Sequence, residues 1–355
     1  MTRLNNTRAK LAELGLGAVL ITDELNVRYI TDFDVQDAYV LLTDKKCYLL
    51  TDFRYHEAAL ASLDEHFEVV TPKSKLDFIS EILSSENIKA LGFEGENATY
   101  AFFNIIASKF EGITLKSVGS LFAELRMIKS KAEIDKLQKA QDIADLAFSQ
   151  LLGVLTPNMT EIEVAAELEY LMRKAGSEGP SFSTIAVSGD ASALPHGVPR
   201  NVKLKPGFLT MDFGARHCGY CSDMTRTVVI GKADAEIKKL YNTVLSAQSA
   251  ALEYLANGGR DAGEADAFAR RIIDAEYQGA FGHSLGHGVG LLVHESPALS
   301  PRSHGNILVS GNVVTVEPGV YLFGKYGCRI EDMVEICDDG IMNFTHSTKD
   351  LIEIF

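Results

Sequence analysis

The chain has 355 residues, enough for two domains that each bury a core of their own. Hydrophobic content of 46% and charged content of 23% are ordinary for a soluble globular protein. A net charge of −14 argues against nucleic acid or an anionic membrane as the main partner.

The opening MTRLNNTRAKLAELGLG is polar and helical, without the apolar stretch of a signal peptide. No later run approaches the roughly 20 apolar residues of a membrane-spanning helix. Cys47, Cys218, Cys221, Cys328 and Cys337 form no disulfide framework for a chain of this length, so reduced thiols in a cytoplasm are expected. Cys218 and Cys221 have redox-motif spacing but fall in a turn rather than at a helix start, which weighs against redox chemistry.

The first third alternates between helix and strand. TRAKLAELGL reads as a helix, GAVLITD as a strand, and YVLLTD and KCYLLTDFRY as two more strands. FRYHEAALASL is helical, FEVVTP a strand, KLDFISEILSSEN a helix and ALGFEG a strand; TYAFFNIIASKF and a short strand near ITLKSV follow. This alternation predicts an α/β N-terminal domain over residues 1–122. One long helical stretch then runs from SLFAELRM to QLLGVL and is ended by Pro157. TEIEVAAELEYLMRKAG is the next helix, capped by Thr160 and stopped by Gly176. Strands dominate afterwards, in FSTIAVSG, GFLTMDFGA and CSDMTRTVVIG. A helical pair follows at 234–257 and 262–277, then a glycine- and histidine-rich segment and two last strands. Residues 123–355 are therefore expected to form an α+β C-terminal domain.

LTMDFGARHCGYCSDMTRTVVI poses a problem of charge. Folded as a hairpin about the midpoint between His217 and Cys218, it sets Asp212 directly opposite Asp223 on one face. Thr210 and Thr225 share that face, while Met211, Phe213, Met224 and Val228 point the other way. A single acid in a strand is usually an exposed or edge residue, but two facing acids in apolar strands repel each other, and burial makes this worse. A positive charge is expected between them. VVTVEPGVYLFGKYGCRIEDMVEI repeats the pattern: a strand, a turn region PGVYLFGKYG and a second strand bring Glu317 and Glu331 onto neighbouring apolar strands.

FGHSLGHGVGLLVHESP packs three histidines among its glycines. Glycine at this density breaks a helix, so His283 and His287 do not form a helical metal pair. A dinucleotide fold is excluded too, because no strand–helix unit surrounds the glycines. Asp212, Asp223, Glu317 and Glu331 with one neutral imidazole would carry four negative charges, which two divalent cations neutralise. Oxygen and nitrogen donors without thiolate favour manganese, cobalt or zinc.

MDFGARHCGYCSDMTRT, SLGHGVGLLVHESP, TVEPGVY and RIEDMVEI, in that order, resemble the aminopeptidase P/prolidase group of metallopeptidases. NVRYITDF and YLLTDFRY resemble the smaller, creatinase-like N-terminal domain of these enzymes, and LRMIKSKAEIDKLQKA the start of their catalytic domain. The resemblance spans nearly the whole chain and implies a pita-bread fold for residues 123–355. It implies Asp212, Asp223, His287, Glu317 and Glu331 as ligands of two metal ions, manganese first, with cobalt or zinc as alternatives. Asp223 and Glu331 would bridge the ions, Asp212 would complete one, and His287 and Glu317 the other. His196 would contact substrate, His294 would steady the tetrahedral intermediate, and His283 would be a third pocket histidine. Glu317 would also shuttle a proton, with Arg329 and Thr225 bracing ligands from behind.

The implied substrates are proline-containing peptides, selected by the ring's shape in an apolar pocket. Many prolidases carry an arginine where this chain has Ala298, which favours an aminopeptidase P activity on Xaa-Pro-peptides over a dipeptidase. Arg302 is the alternative source of a charge that grips a dipeptide carboxylate. Creatinase needs no metal cluster, methionine aminopeptidases lack this N-terminal domain, and a non-catalytic peptide-binding module would show eroded ligands. A homodimer is also implied, with residues 31–39 approaching the partner's site.

Overall fold

The computed structural model describes residues 2–355. The chain separates into two compact units, Met1–Arg126 and Met127–Phe355. The first contains α1 (Thr2–Glu13), β1 (Ala18–Ile21), α2 (Glu24–Thr31), β2 (Tyr39–Thr43), β3 (Cys47–Leu50) and α3 (Phe53–Ser62), followed by β4 (Phe67–Val70), α4 (Lys75–Ser85), β5 (Ala90–Phe93), α5 (Tyr100–Lys109) and β6 (Thr114–Ser117). This is the expected alternation with one addition, α2. Its Val, Tyr, Ile and Thr are weak helix formers, but Asp23 caps it by accepting from the Asn26 N–H. The six strands form one mixed sheet in the order β4-β3-β2-β1-β5-β6. Leu20, Leu41, Leu50, Ile79, Leu91 and Ile106 pack its core.

The expected boundary at 122/123 falls inside α6 (Leu121–Met127). The single long helix expected here is two: α7 (Lys131–Leu152) starts afresh, because Ser130 and Glu133 cap its N-terminus reciprocally. The intervening Lys129 N–H bonds to the Gly311 carbonyl instead, at 2.8 Å. α7 stops at Leu152 with Gly153 as its cap, ahead of Pro157, and Thr160 caps α8 (Glu161–Lys174) as the sequence predicts.

The rest of the second unit holds β7 (Ile185–Ser188), β8 (Gly207–Phe213), β9 (Arg216–His217), β10 (Tyr220–Cys221), β11 (Met224–Ile230), α9 (Ala235–Ala256) and α10 (Ala262–Tyr277). Eight further strands follow: β12 (Gly286–Gly288), β13 (Glu295–Leu299), β14 (Val313–Val316), β15 (Gly319–Leu322), β16 (Tyr326–Arg329), β17 (Asp332–Cys337), β18 (Gly340–Asn343) and β19 (Glu353–Ile354). One sheet runs β19-β11-β8-β7 and another β13-β12-β14-β17-β18. Leu209, Met211, Phe213, Met224 and Val228 of the first sheet pack under α7 and α8, and Val314, Val316, Val334 and Ile336 of the second under α9 and α10. Strand alternation then turns Asp212, Thr225 and Thr315 to the opposite faces of these strands. All five cysteines are free, with Cys218 exposed and Cys221 buried. Among the described residues no helix is long and apolar enough to cross a membrane.

Candidate metal centre

Two antiparallel ladders deliver the acids. β8 and β11 pair from Gly207 with Ile230 to Phe213 with Met224, and β9 and β10 continue the same register to His217 with Tyr220. The turn is centred on Cys218 and Gly219, whose φ angles of 49° and 82° are both positive, as a two-residue hairpin turn requires. This corrects the expected register. The fold axis lies one residue further along, so Asp212 faces Thr225 rather than Asp223. The slip is an even number of residues, so every side chain keeps its expected face. Asp223 sits in a break of the ladder, where Ser222 crowds Gly214: a Cβ on that glycine would lie 1.9 Å from the Ser222 carbonyl oxygen.

The second ladder is built the same way. β14 and β17 pair from Val313 with Glu335 to Val316 with Asp332, and β15 and β16 resume the register at Gly319 with Arg329. The region expected as a turn is therefore mostly a second hairpin, and Glu317 and Glu331 occupy facing positions in the break between the two. Their backbone N–H groups leave the ladder for other partners: Glu317 bonds to Leu285 O at 2.8 Å, and Glu331 to Thr225 O at 3.1 Å. The latter bond ties one ladder to the other at the point where the acids meet.

His287 enters from β12. Gly286 allows the approach, since a Cβ there would sit 2.0 Å from the Thr315 carbonyl oxygen. His287 Nδ1–H donates to Gly288 O at 3.1 Å, so the neutral ring presents Nε2 as its lone-pair nitrogen. Nε2 lies 3.3 Å from Glu317 Oε1 and 3.6 Å from Asp223 Oδ2. Asp223, His287 and Glu331 each offer a ligand atom within 4.8 Å of the others.

Arg329 and Thr225 back these groups. Arg329 Nη2 donates to Asp212 Oδ2 at 2.6 Å and Nε to Thr225 Oγ1 at 3.0 Å, while the Thr225 hydroxyl donates to Glu331 Oε2 at 2.7 Å. Two contributors escaped sequence reasoning. Tyr321 accepts from Arg329 Nη1 at 2.7 Å and passes its own proton toward His283 Nε2 at 2.9 Å. Thr315 accepts from the His287 N–H at 3.1 Å and donates to Glu317 Oε1 at 3.2 Å. Thr315 had a signal, because it lies two residues before Glu317 on the same strand face. Tyr321 did not, since it reads as one more apolar residue in a glycine-rich turn.

The cluster is short of positive charge. Burial raises Asp212 despite the Arg329 guanidinium beside it. Burial and the neighbouring carboxylates push Asp223 and Glu331 well above the usual carboxylate range. In metal-free protein burial would raise Glu317 as well, but a protonated His287, its own pKa raised, outweighs burial through its hydrogen bond and charge and holds this acid low. Asp212 Oδ1 and Glu331 Oε1 are buried without a hydrogen-bond partner. Carboxylate oxygens aimed at one another, two of them unpartnered, beside an imidazole lone pair and no thiolate, fit divalent cations.

These groups line a cavity of about 540 Å³. His196, His283 and His294 share its wall, with Phe182, Ile185 and Val293 among its apolar residues. The His294 ring packs edge-on to His287 with centroids 4.2 Å apart, and burial, helped by His287, lowers its pKa. Ala298 is on the wall, whereas Arg302 lies on an exposed turn outside it. Arg329 is the one cationic side chain among the described residues of the lining.

Residues 135–338 match the family described as metallopeptidase family M24, and residues 3–128 match the Creatinase/Prolidase N-terminal domain. The chain belongs to metallopeptidase family M24. This M24 chain is 38% identical to a protein named Xaa-Pro dipeptidase from Pyrococcus horikoshii, over 95% of each. It superposes on a solved Xaa-Pro dipeptidase from Bacillus anthracis with a TM-score of 0.93 at 38% identity, covering 100% of this chain and 99% of that one. A solved X-Pro aminopeptidase from Thermotoga maritima follows, with a TM-score of 0.92 at 35% identity and coverage of 98% and 100%. The M24 chain thus has the architecture expected from resemblance, an α/β N-terminal domain and an α+β pita-bread catalytic domain.

Proposed function

We propose that the centre hydrolyses the bond before proline, with Xaa-Pro dipeptides as its substrates. The observation that carries this reading is the buried donor set with two unpartnered oxygens, set in the wall of a partly apolar cavity. The dipeptide assignment draws on the relatives from Pyrococcus horikoshii and Bacillus anthracis, both named Xaa-Pro dipeptidases. It replaces the preference for aminopeptidase P drawn from Ala298.

Asp212, Asp223, His287, Glu317 and Glu331 would hold two divalent ions, manganese first. Bound there, the ions would supply a water made acidic enough to attack at neutral pH and a polarised substrate carbonyl. The remaining work falls to this chain's own groups. Glu317 is the carboxylate that takes a proton and returns it to the proline nitrogen, a tertiary amide that leaves only once protonated. His294 and His196 donate N–H to the oxygen that gains charge. Arg329 and Thr225 keep Asp212 and Glu331 from turning. Phe182, Ile185 and Val293 offer apolar surface to a ring that has no N–H to recognise.

Cleavage of longer Xaa-Pro-peptides is the second reading. Ala298 on the wall and the distant Arg302 leave no free cation among the described lining residues to grip a terminal carboxylate. Metal-stripped protein reloaded with manganese, cobalt or zinc, and offered Ala-Pro and Ala-Pro-Ala in parallel, decides between them. Alanine release from the dipeptide alone supports the first reading; release from the tripeptide moves the assignment to aminopeptidase P. Silence on both with metal bound refutes the substrate class. The reading also carries a homodimer in which residues 31–39 meet the partner's site, tested by sizing in solution and substitution of Asp37.

A further inference from the structure

We propose that Arg226 is a positioning residue that sets the place of Glu331 from behind the metal centre; the inference rests on the metal-binding reading above, not on the substrate. Arg226 is 1% exposed, the largest of the fully buried side chains among the described residues. It stands on β11 one residue past Thr225, on the opposite face of the strand from the acids. Burying a guanidinium is costly unless every donor is satisfied. Here each nitrogen is used. Nη1 donates to Thr225 O at 3.0 Å and to Glu331 O at 2.5 Å. Nη2 donates to Asp332 Oδ1 and to Ser347 O, both at 2.8 Å, and Nε to Thr348 O at 3.1 Å.

The choice of acceptors makes this more than a buried ion pair. Thr225 and Glu331 belong to different ladders, and their junction is where the two acid-bearing ladders touch: Glu331 N–H to Thr225 O, and Thr225 Oγ1 to Glu331 Oε2. One guanidinium nitrogen grips the carbonyls of both residues at that junction, and the next holds the side chain that follows Glu331. A planar fork fixes such a set of acceptors as a unit, which an ammonium on a flexible stem does not. Asp332 is anchored in turn by Lys349 Nζ at 2.7 Å and Asn343 Nδ2 at 2.9 Å, so the fork cannot drift with its partner. Arg226 therefore fixes the backbone of Glu331 while Thr225 fixes its carboxylate. Asp332 also supplies the negative charge that keeps this arginine from opposing cations on the other face of the strand.

The test uses the full chain, stripped of metal, as wild type, Arg226→Lys and Asp332→Asn. Co2+ is titrated by visible absorption and Mn2+ by calorimetry, and each metal-free protein is melted alongside. Folded R226K is expected to lose about 10–100-fold in metal affinity and to shift its Co2+ bands, with D332N moving in the same direction. A role confined to holding the C-terminal segment would lower the melting temperature and leave the Co2+ spectrum of loaded protein alone. Wild-type affinity and spectrum in folded R226K overturn the proposal. If R226K does not fold, the same result in D332N overturns it. Wild-type protein that binds metal but leaves Ala-Pro intact refutes the substrate and not the role of Arg226; wild-type protein that takes no metal refutes both.

Discussion

Thr225 has a single hydroxyl and uses it twice, accepting from Arg329 and donating to Glu331. Replacing it with valine keeps the volume and removes both bonds, leaving a second Glu331 oxygen without a partner. Thr225→Val is expected to weaken metal binding by about 10–100-fold with little change in backbone structure, measured by calorimetric titration with Mn2+. The acids themselves carry a pH dependence whose sign is fixed. In metal-free protein Asp223 and Glu331 have pKa values well above those of an unfolded chain, chiefly through burial. Folding therefore favours their protonated forms, and stability falls as pH rises from the ordinary carboxylate range through the raised values. Melting temperature of the stripped protein should fall across that range, and saturating metal should flatten the slope; a stripped protein that grows more stable would contradict the electrostatics described above. These acids were legible in the sequence because charge in a β-branched, apolar strand is anomalous. Arg226 was not, since a lone arginine in TRTVV reads equally well as an exposed residue, and only its five acceptors in the fold distinguish it.

The elements explain which parts of the reading were safe. Period-two alternation assigned the faces of β8 and β11 correctly even though the turn was misplaced, because face depends on parity and register on the turn. The misplacement came from centring the turn between His217 and Cys218, whereas positive φ falls on Cys218 and Gly219. The split between α6 and α7 is hidden because both halves are amphipathic, and only the capping exchange of Ser130 with Glu133 marks it. That break also brings Lys129 to Glu295, the residue after His294, at 3.0 Å with the two side chains only 1% and 5% exposed. Gly290 makes room for the carboxylate: a Cβ there would lie 1.9 Å from Glu295 Oε1. Lys129→Met removes one half of this buried ion pair and is expected to lower stability in urea unfolding, by more than the double variant K129M/E295M does.

The molecule as a whole divides the labour between its two units. The first has a six-stranded sheet and a core of its own, and the second holds every residue of the metal centre. Metal should stabilise the second unit against unfolding by about 2.7 kcal/mol for each ion whose free concentration is one hundred times its Kd, read by calorimetry; no shift with metal would overturn the metal-binding reading. Alternation of helix and strand made the first unit readable nearly element by element. The second was readable mainly through its chemistry, because its short strands join residues far apart in sequence. Its two ladders share one further property: each keeps its register through the break that carries its acids and ends in a tip, at Cys218 and Gly219 in one and at Phe323, Gly324 and Lys325 in the other. The 323–325 tip is exposed and its pairing is set below it, so added length there is expected to leave Glu317 and Glu331 in place; the other tip is tied down, with Gly219 buried and its N–H bonded to Glu178 Oε2 at 3.0 Å. That exposed tip, with Phe323 85% exposed, is the protein's natural handle, the place to splice in an affinity tag, a tethered dye or a surface linker.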